Sequence, residues 1–244
     1  MKKKKDQINE EEYNEIEQEE YEEYEEEESD LQTFVQKYST LIIIASVALI
    51  AVVAFLFYFR TSSSETESAA SLALSRIQPY YLSSNYEIAL NGNPQAQVRG
   101  QSVQGLKWVV SEYEDTDQGK LAALYAGNSL NATGNYNEAI SYFEIAADSP
   151  SKIVEQGAYA GIAAAKEAQG QYGEAAEEYE KAAKIAEDEK TKGRYLYFAG
   201  LAYEKSGNTG RAEEIYNDLI EAKYNFEFVG SAKAGLVRLG TKIE

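Results

Sequence analysis

The sequence predicts an all-α protein in which a solenoid of short helix pairs follows one long apolar helix. Three observations predict this fold. A pattern of glycine, then Tyr or Thr, then alanine and an aromatic residue occurs three times at a spacing of 36 to 37 residues, which is the period of repeats built from helix pairs. An uncharged apolar stretch covers residues 41–59. Residues 1–30 before it are dominated by glutamate, so the chain divides into unlike parts.

The N-terminal tail is strongly acidic. Residues 6–30 contain fifteen Asp or Glu and no basic residue, and four lysines at positions 2–5 bring the net charge of residues 1–30 to −11. Repulsion among these carboxylates opposes compaction, so we predict a disordered tail over residues 1–30. Two roles are open for it, an arm for a basic partner or a solvated segment that repels anionic membrane surface. Nucleic acid is not expected as a partner, because the tail would repel its phosphates.

Residues 31–60 are predicted to form a juxtamembrane and transmembrane helix, with the span at residues 41–59. These nineteen uncharged residues would extend about 28 Å at 1.5 Å per residue, close to the thickness of the hydrocarbon layer. The alternatives are a buried helix of a soluble core and a cleaved signal peptide. Core helices rarely run this long without a polar face, and no small-x-small cleavage site follows. We therefore expect an uncleaved single-pass anchor, followed by a Ser-rich linker at residues 61–67.

The charges around this helix do not fix its orientation. Within twenty residues of the span, the N-terminal side carries only Lys37, whereas the C-terminal side carries Arg60 and Arg76. Counting the whole tail adds four lysines and reverses the balance. The positive-inside rule therefore gives opposite answers for the two counts.

The composition argues against an enzyme. The chain has no cysteine and no histidine, so it lacks thiolate chemistry and the commonest general base and metal ligand. No phosphate-binding glycine loop is present, and the glutamates of the tail lack the fixed spacing of a calcium loop. We expect no catalytic residue, no cofactor and no bound metal.

Residues 68–244 are predicted to form one helical repeat domain. In each repeat a glycine ends the first helix in the left-handed conformation, which glycine adopts with the least strain. Small residues such as Gly127 and Ala139 let the two helices approach closely, and an aromatic residue such as Phe143 fills the space around them. The clearest repeats are residues 120–153, 156–189 and 193–226, with turn glycines Gly134, Gly170 and Gly207.

The same phase predicts degenerate elements on both sides of the clear repeats. Residues 101–114 are predicted to be the second helix of a degenerate repeat. Before them, Tyr86 and Ala89 have the aromatic-x-x-small spacing and follow a helix that we expect Pro79 to interrupt. Downstream, residues 228–239 are predicted to form a terminal helix that covers the last apolar face.

The repeats resemble the tetratricopeptide repeat (TPR) family over residues 120–220, although Thr209 replaces an aromatic residue and Leu219 a small one. The order of charged tail, single apolar span and divergent repeats resembles the bacterial membrane-anchored TPR proteins that include the ancillary subunit of the Sec translocon. Residues 111–127 carry much of that resemblance. It implies a cytoplasmic tail, periplasmic repeats and protein partners, namely the Sec translocon, exported clients or periplasmic chaperones.

In the TPR family, the first helices of successive repeats line a concave face that binds polypeptides. Only Asn128 matches the residues with which some TPR domains clamp a C-terminal carboxylate, and Leu124 stands where the clamp lysine would be. We therefore expect an extended or helical apolar peptide instead. The alternative is that the protein's own N-terminal helices fill the face. The predicted partner-binding residues are Leu121, Leu124, Asn128, Asn131, Ala160, Ala164, Arg194, Tyr197, Leu201 and Lys205.

The sequence thus predicts a membrane-anchored TPR module or scaffold that binds polypeptides in protein export or envelope assembly at the bacterial inner membrane. The alternative function is a structural organiser that self-associates or bridges membrane complexes while the concave face binds no peptide. The oligomeric state and the identity of the partner are open.

Overall fold

The computed structural model describes residues 10–98, 100–221 and 226–241, in which it contains ten α-helices and one two-stranded sheet. The chain forms two compact units, Met1–Thr61 and Ser62–Glu244. The long first helix, α1 (Glu10–Leu82), contributes residues to both units. The prediction of an all-α solenoid is confirmed, with the small sheet as an addition to it.

The first unit consists of the N-terminal part of α1. Residues 10–30 are helical, so the prediction of disorder is wrong for this stretch; residues 1–9 lie outside the described residues. Glutamate is a good helix former, and a helix that continues an adjoining one needs no new nucleus. Within the described residues, Gln36–Phe55 is the segment long and apolar enough to cross a membrane. Leu49 and Ile50 in it are 65% and 67% exposed.

The second unit contains three helix pairs and a last helix. The turn glycines Gly134, Gly170 and Gly207 have φ values of +82°, +79° and +82°, which confirms the predicted left-handed turns. In the first turn, the Asn135 N–H donates to the Leu130 carbonyl at 2.8 Å, which closes the end of the first helix. The pairs are α4 (Asp117–Ala132) with α5 (Tyr136–Ala147), α6 (Lys152–Ala168) with α7 (Tyr172–Ile185), and α8 (Glu189–Ser206) with α9 (Thr209–Glu221), followed by α10 (Phe226–Leu239).

The end of α1 and α2 (Tyr86–Asn91) are joined by the same kind of turn. Ser84 takes the place of the glycine, with φ +60°, and it is the one non-glycine residue of the described chain with positive φ. The Asn85 N–H donates to the Tyr80 carbonyl at 2.9 Å, as Asn135 does to Leu130. Tyr86 and Ala89 therefore begin a short second helix, in agreement with their spacing.

One prediction about α1 is wrong, because the helix continues through Pro79. The Ser-rich residues 61–67 are helical as well, and their role as a linker stays a prediction. Proline removes the hydrogen bond to the carbonyl of Ser75, but Pro79 and Ser75 are both exposed, so water can bind that carbonyl. The Ser68 hydroxyl donates to the Ser64 carbonyl at 2.8 Å, which satisfies this polar group within the helix.

A β-hairpin separates α2 from α3 (Leu106–Tyr113). β1 (Gly92–Val98) pairs in antiparallel fashion with β2 (Gln101–Gln104). The predicted helix over residues 101–114 is therefore wrong for its first five residues. Gly105 is extended, with φ −77° and ψ 166°, and a Cβ atom there would lie 2.2 Å from the Leu90 carbonyl oxygen. Because Gly105 has no side chain, the two backbone segments can pass close to each other before α3 begins.

A carboxylate of α1 caps α4. The Glu67 oxygens accept hydrogen bonds from the backbone N–H groups of Asp117 at 2.9 Å and Gln118 at 3.1 Å. These donors have no partner within their own helix, and the negative charge is favoured at a helix N-terminus. The contact therefore fixes the C-terminal part of α1 against the first clear repeat.

Aromatic side chains of the second helices lie between glycines. A Cβ atom at Gly127 or Gly161 would lie 2.6 Å or 2.4 Å from the Phe143 ring, and Tyr216 is enclosed in the same way by Gly200 and Gly235. Both rings are fully buried. Since only glycine leaves this room, these positions set how closely neighbouring helices pack.

Candidate protein-binding face

The ten predicted binding residues lie on the first helices of the three repeats, α4, α6 and α8. Arg194 and Lys205 are exposed, and the other eight are half-buried. Neighbouring first helices meet at this face, since a Cβ atom at Gly157 of α6 would lie 3.4 Å from Leu124 of α4. Lys205 of α8 likewise reaches Glu167 of α6 at 2.5 Å. The structure thus brings residues from α4, α6 and α8 into one run of neighbouring helices.

The α4 end of this face is occupied by α1. The Tyr81 ring stacks on the Tyr125 ring with centroids 4.3 Å apart, and the Asn128 amide donates to the Tyr81 hydroxyl at 3.2 Å. Gln78 also donates to the Tyr125 hydroxyl at 3.3 Å. Burial raises the pKa of Tyr81. Asn128, predicted to contact a partner, is therefore engaged by the protein's own helix.

The α8 end of the face is covered by α10. The rings of Tyr197 and Phe228 lie 5.8 Å apart, and Arg238 binds Glu204 through two hydrogen bonds of 2.8 and 2.9 Å. Tyr197 also lies beside Tyr216, with ring centroids 6.3 Å apart. A partner at this end would therefore meet an aromatic cluster that already has neighbours.

A polar contact recurs where one repeat meets the next element. In the second repeat, the Tyr179 hydroxyl donates to Glu167 at 3.3 Å, and Glu167 in turn pairs with Lys205. In the third, the Tyr216 hydroxyl donates to Glu204 at 2.9 Å, which pairs with Arg238. The two glutamates hold equivalent positions in their repeats, as do the two tyrosines.

These contacts shift the protonation of the groups involved. Burial, followed by the nearby Glu167 carboxylate, raises the pKa of Tyr179, and burial followed by Glu204 raises that of Tyr216. The hydrogen bonds from Arg238 and then Tyr216 lower the pKa of Glu204. The tyrosines therefore remain neutral donors and Glu204 remains a charged acceptor at neutral pH. Such groups suit a structural role.

The first repeat lacks this contact. Asn131 stands where the other repeats have glutamate, and Phe143 stands where they have tyrosine. In the second repeat, Ala168 occupies the position equivalent to Lys205 of the third repeat. The Asn131 side-chain oxygen is buried and has no hydrogen-bond partner among the described residues. Asn131 belongs to the predicted binding set. The recurring Tyr–Glu contact was not predicted, although equivalent positions of the second and third repeats carry the same two residue types.

The centre of the face is the part that α1 and α10 do not engage through these contacts. Ala160 and Ala164 of α6 lie there and are half-buried, next to Gly157. Leu201 of α8 is half-buried as well. Short side chains allow another backbone to come close, and these residues form an apolar floor at the centre of the face. Within the described residues, no group of three or more acidic side chains is placed to hold a metal ion.

The tetratricopeptide repeat family matches residues 157–189 and 193–226. These two stretches cover most of the second and third helix pairs, so this part of the chain is TPR-like. Repeats of this family form modules for protein–protein interaction or scaffolding. Their presence supports protein partners for this chain. No curated protein and no solved structure matches the chain.

Proposed function

We propose that this protein is a single-pass membrane-anchored TPR module that binds polypeptide partners on the concave face of its repeats, in protein export or envelope assembly at the bacterial inner membrane. The match to the TPR family at residues 157–189 and 193–226 is the observation that carries the proposal. The partners that we propose are the Sec translocon, exported clients and periplasmic chaperones, because the sequence resembles the bacterial membrane-anchored TPR proteins.

The binding site we propose is centred on α6. Ala160 and Ala164 form a floor of small side chains, and removal of their apolar surface from water favours association. Leu121 and Leu124 on α4 and Leu201 on α8 add apolar surface on either side. Arg194 and Lys205 stand at the exposed edge, where they would contact polar groups of the partner. The site is shorter than the full concave face, because α1 and α10 engage Asn128 and Tyr197.

Variants of α6 test this site. The double variant Ala160→Glu with Ala164→Glu places two charges on the apolar floor, and we expect it to lose the polypeptides that co-purify with the full-length protein. The matched control is Ala234→Glu, the same substitution at an exposed position of α10, which should retain them. Helical circular dichroism checks that the variants are folded. If the folded double variant retained every partner of the control, peptide binding at α6 would be refuted.

The membrane anchor is proposed from Gln36–Phe55, with the tail in the cytoplasm and the repeats in the periplasm. The chain has no cysteine, so a single introduced thiol reports its own side of the membrane. We expect Ser64→Cys to react in intact cells with a thiol reagent that does not cross the inner membrane. Asn14→Cys should react only after lysis. The opposite pattern would reverse the orientation, and recovery of both variants in the soluble fraction would overturn the anchor.

A structural organiser is the second candidate, and one observation favours it. Both ends of the concave face are engaged by the protein's own helices, through Tyr81 on Tyr125 and Phe228 on Tyr197. An organiser would assemble through other surfaces and would leave α6 unoccupied. The mass of the detergent-solubilised protein, determined by light scattering, distinguishes the two. A monomer that binds polypeptides only through α6 excludes the organiser, whereas a stable oligomer that the double variant leaves intact favours it.

A further inference from the structure

A cleft of about 580 Å³ lies between α1, the β-hairpin and α3. None of the described residues that line it belongs to α4, α6 or α8, so it is separate from the proposed peptide site. Leu72 and Arg76 line it from α1, Ser102 and Gln104 from β2, and Trp108 from α3. Three different elements thus meet around one opening.

The charge of this cleft is opposite to that of the chain. The chain has 41 acidic and 23 basic residues, yet the described residues of the lining include Arg76 and no acidic side chain. Arg211 and Arg238 each pair with glutamate, whereas Arg76 has no ion-pair partner in the part of the chain that the structure describes. An unpaired guanidinium beside hydroxyl and amide groups is suited to bind a carboxylate.

One wall of the cleft is a strand with a free edge. β2 pairs with β1 on one side, and among the described residues its other edge makes no backbone pairing. Such an edge can accept an extended peptide as an additional strand. The hairpin is also anchored at its base, because Val103 is 2% exposed and Gly105 lies in close contact with the Leu90 and Asn91 backbone of α2. The edge is therefore prearranged and needs little ordering on binding.

Apolar surface lies beside the arginine. The rings of Trp108 and Tyr113 meet edge to face, with centroids 5.8 Å apart, and both are half-buried. Leu72 is 49% exposed on the α1 side. An aromatic or aliphatic side chain placed there would cover Leu72 and the Trp108 ring, and aromatic side chains often serve as such anchors.

We propose that this cleft is a second polypeptide-binding site, which takes an extended acidic segment of a partner protein. The backbone of the segment pairs with the free edge of β2, one of its carboxylates binds Arg76, and a neighbouring apolar side chain packs on Leu72 and Trp108. Charge complementarity selects the acidic segment, and the strand edge selects the extended conformation. The site goes beyond the proposed function, because it uses no residue of the concave face.

The chain offers a direct reporter, since Trp108 is its only tryptophan and lines this cleft. The probe is a set of nonapeptides selected from a random display library on the full-length protein in detergent micelles, then synthesised with blocked ends. We expect the selected peptides to contain Asp or Glu next to an aromatic or aliphatic residue and to shift the emission of Trp108 on titration. Hydrogen exchange should show protection of the β2 amides in the complex.

Variants give the decisive comparison. Arg76→Gln should weaken binding of these peptides at least tenfold. In the Arg76→Gln variant, replacing the acidic residue of the peptide by its amide should cause no further loss of affinity. Leu72→Gln, at an exposed position, should weaken binding severalfold, because it removes an apolar contact and leaves the charge of Arg76 unchanged. Lys233→Gln, which removes an exposed cation from α10, should have no effect. The Ala160→Glu and Ala164→Glu double variant should keep the Trp108 response, so failure of either site is recognised separately.

Four results would overturn the proposal. The selected peptides could bind without changing the emission of Trp108, or bind Arg76→Gln as tightly as the parent protein. They could also protect α6 amides instead of β2 amides, which would assign them to the concave face. Finally, phosphatidylglycerol vesicles could shift Trp108 emission in an Arg76-dependent way while no peptide does, and the cleft would then bind a lipid headgroup.

Discussion

Two glycines of α6, Gly157 and Gly161, lie about one turn apart, and replacing each by alanine separates helix propensity from packing. Both substitutions gain about 1 kcal/mol of helix propensity. At Gly161 the new Cβ would lie 2.4 Å from the Phe143 ring, which cannot retreat because Gly127 closes its other side. Overpacking of this kind costs about 1–3 kcal/mol. At Gly157 the nearest atom is Leu124 Cδ2 at 3.4 Å, which that half-buried side chain can accommodate.

We therefore expect Gly161→Ala to be less stable than Gly157→Ala by about 1–3 kcal/mol, because the propensity gain cancels between them. The assay is urea unfolding of the full-length protein in detergent, followed by the emission of Trp108, which packs on the same hydrophobic cluster as Phe143. Adding Phe143→Leu should reduce the penalty at Gly161 and leave Gly157→Ala unchanged. Equal free energies of unfolding for the two alanine variants would refute the close packing of Phe143 between glycines.

Three further predictions concern stability. Ser84→Gly should raise the free energy of unfolding by about 1–2 kcal/mol, because Ser84 is exposed and has a φ of +60°, a conformation that strains non-glycine residues. An unchanged free energy of unfolding in urea would contradict this. Phe143→Tyr should stabilise by about 1 kcal/mol by giving Asn131 the donor that equivalent tyrosines supply, and it should gain nothing once Asn131→Leu removes the acceptor. Glu204 has a lowered pKa in the folded protein, so its stabilising effect is complete above the ordinary carboxyl pKa and is lost as pH falls through the folded value. Glu204→Gln should therefore lose less stability than the parent protein on acidification below about pH 5, and equal slopes of stability against pH would contradict this.

The repeats could be predicted from sequence because their strongest signals are local. A glycine that ends a helix, followed at fixed spacing by an aromatic and a small residue, determines both the turn and the closest helix contact. Gly134, Gly170 and Gly207 all adopt the expected conformation. The same local rule missed the turn after α1, because Ser84 stands where the rule requires glycine.

The hairpin could not be predicted because its stability comes from contacts outside it. Residues 92–104 include only Val98 and Val103 as large apolar side chains, too few for a clear alternation. Val103 is buried by packing on other elements, and Gly105 allows a close approach of two backbone segments. Periodicity therefore favoured a helix where tertiary contacts favour strands.

The candidate site was predicted only in part for a similar reason. The helix register placed the ten residues on α4, α6 and α8, but register carries no information about which distant segments cover them. Tyr81 reaches Asn128 across 47 positions, and Arg238 reaches Glu204 across 34. These long-range contacts shorten the site to its centre on α6, which remains a proposal.

Photocrosslinking in living cells tests the central claim, that polypeptide partners bind at α6. A photoreactive amino acid replaces Ala164 at the centre of the face, and the control carries it at Glu177, an exposed position of α7. The account predicts polypeptide adducts from position 164 that disappear when Ala160→Glu is added, and none of these adducts from position 177. Adducts that are equal at both positions, or that persist with Ala160→Glu, would contradict it.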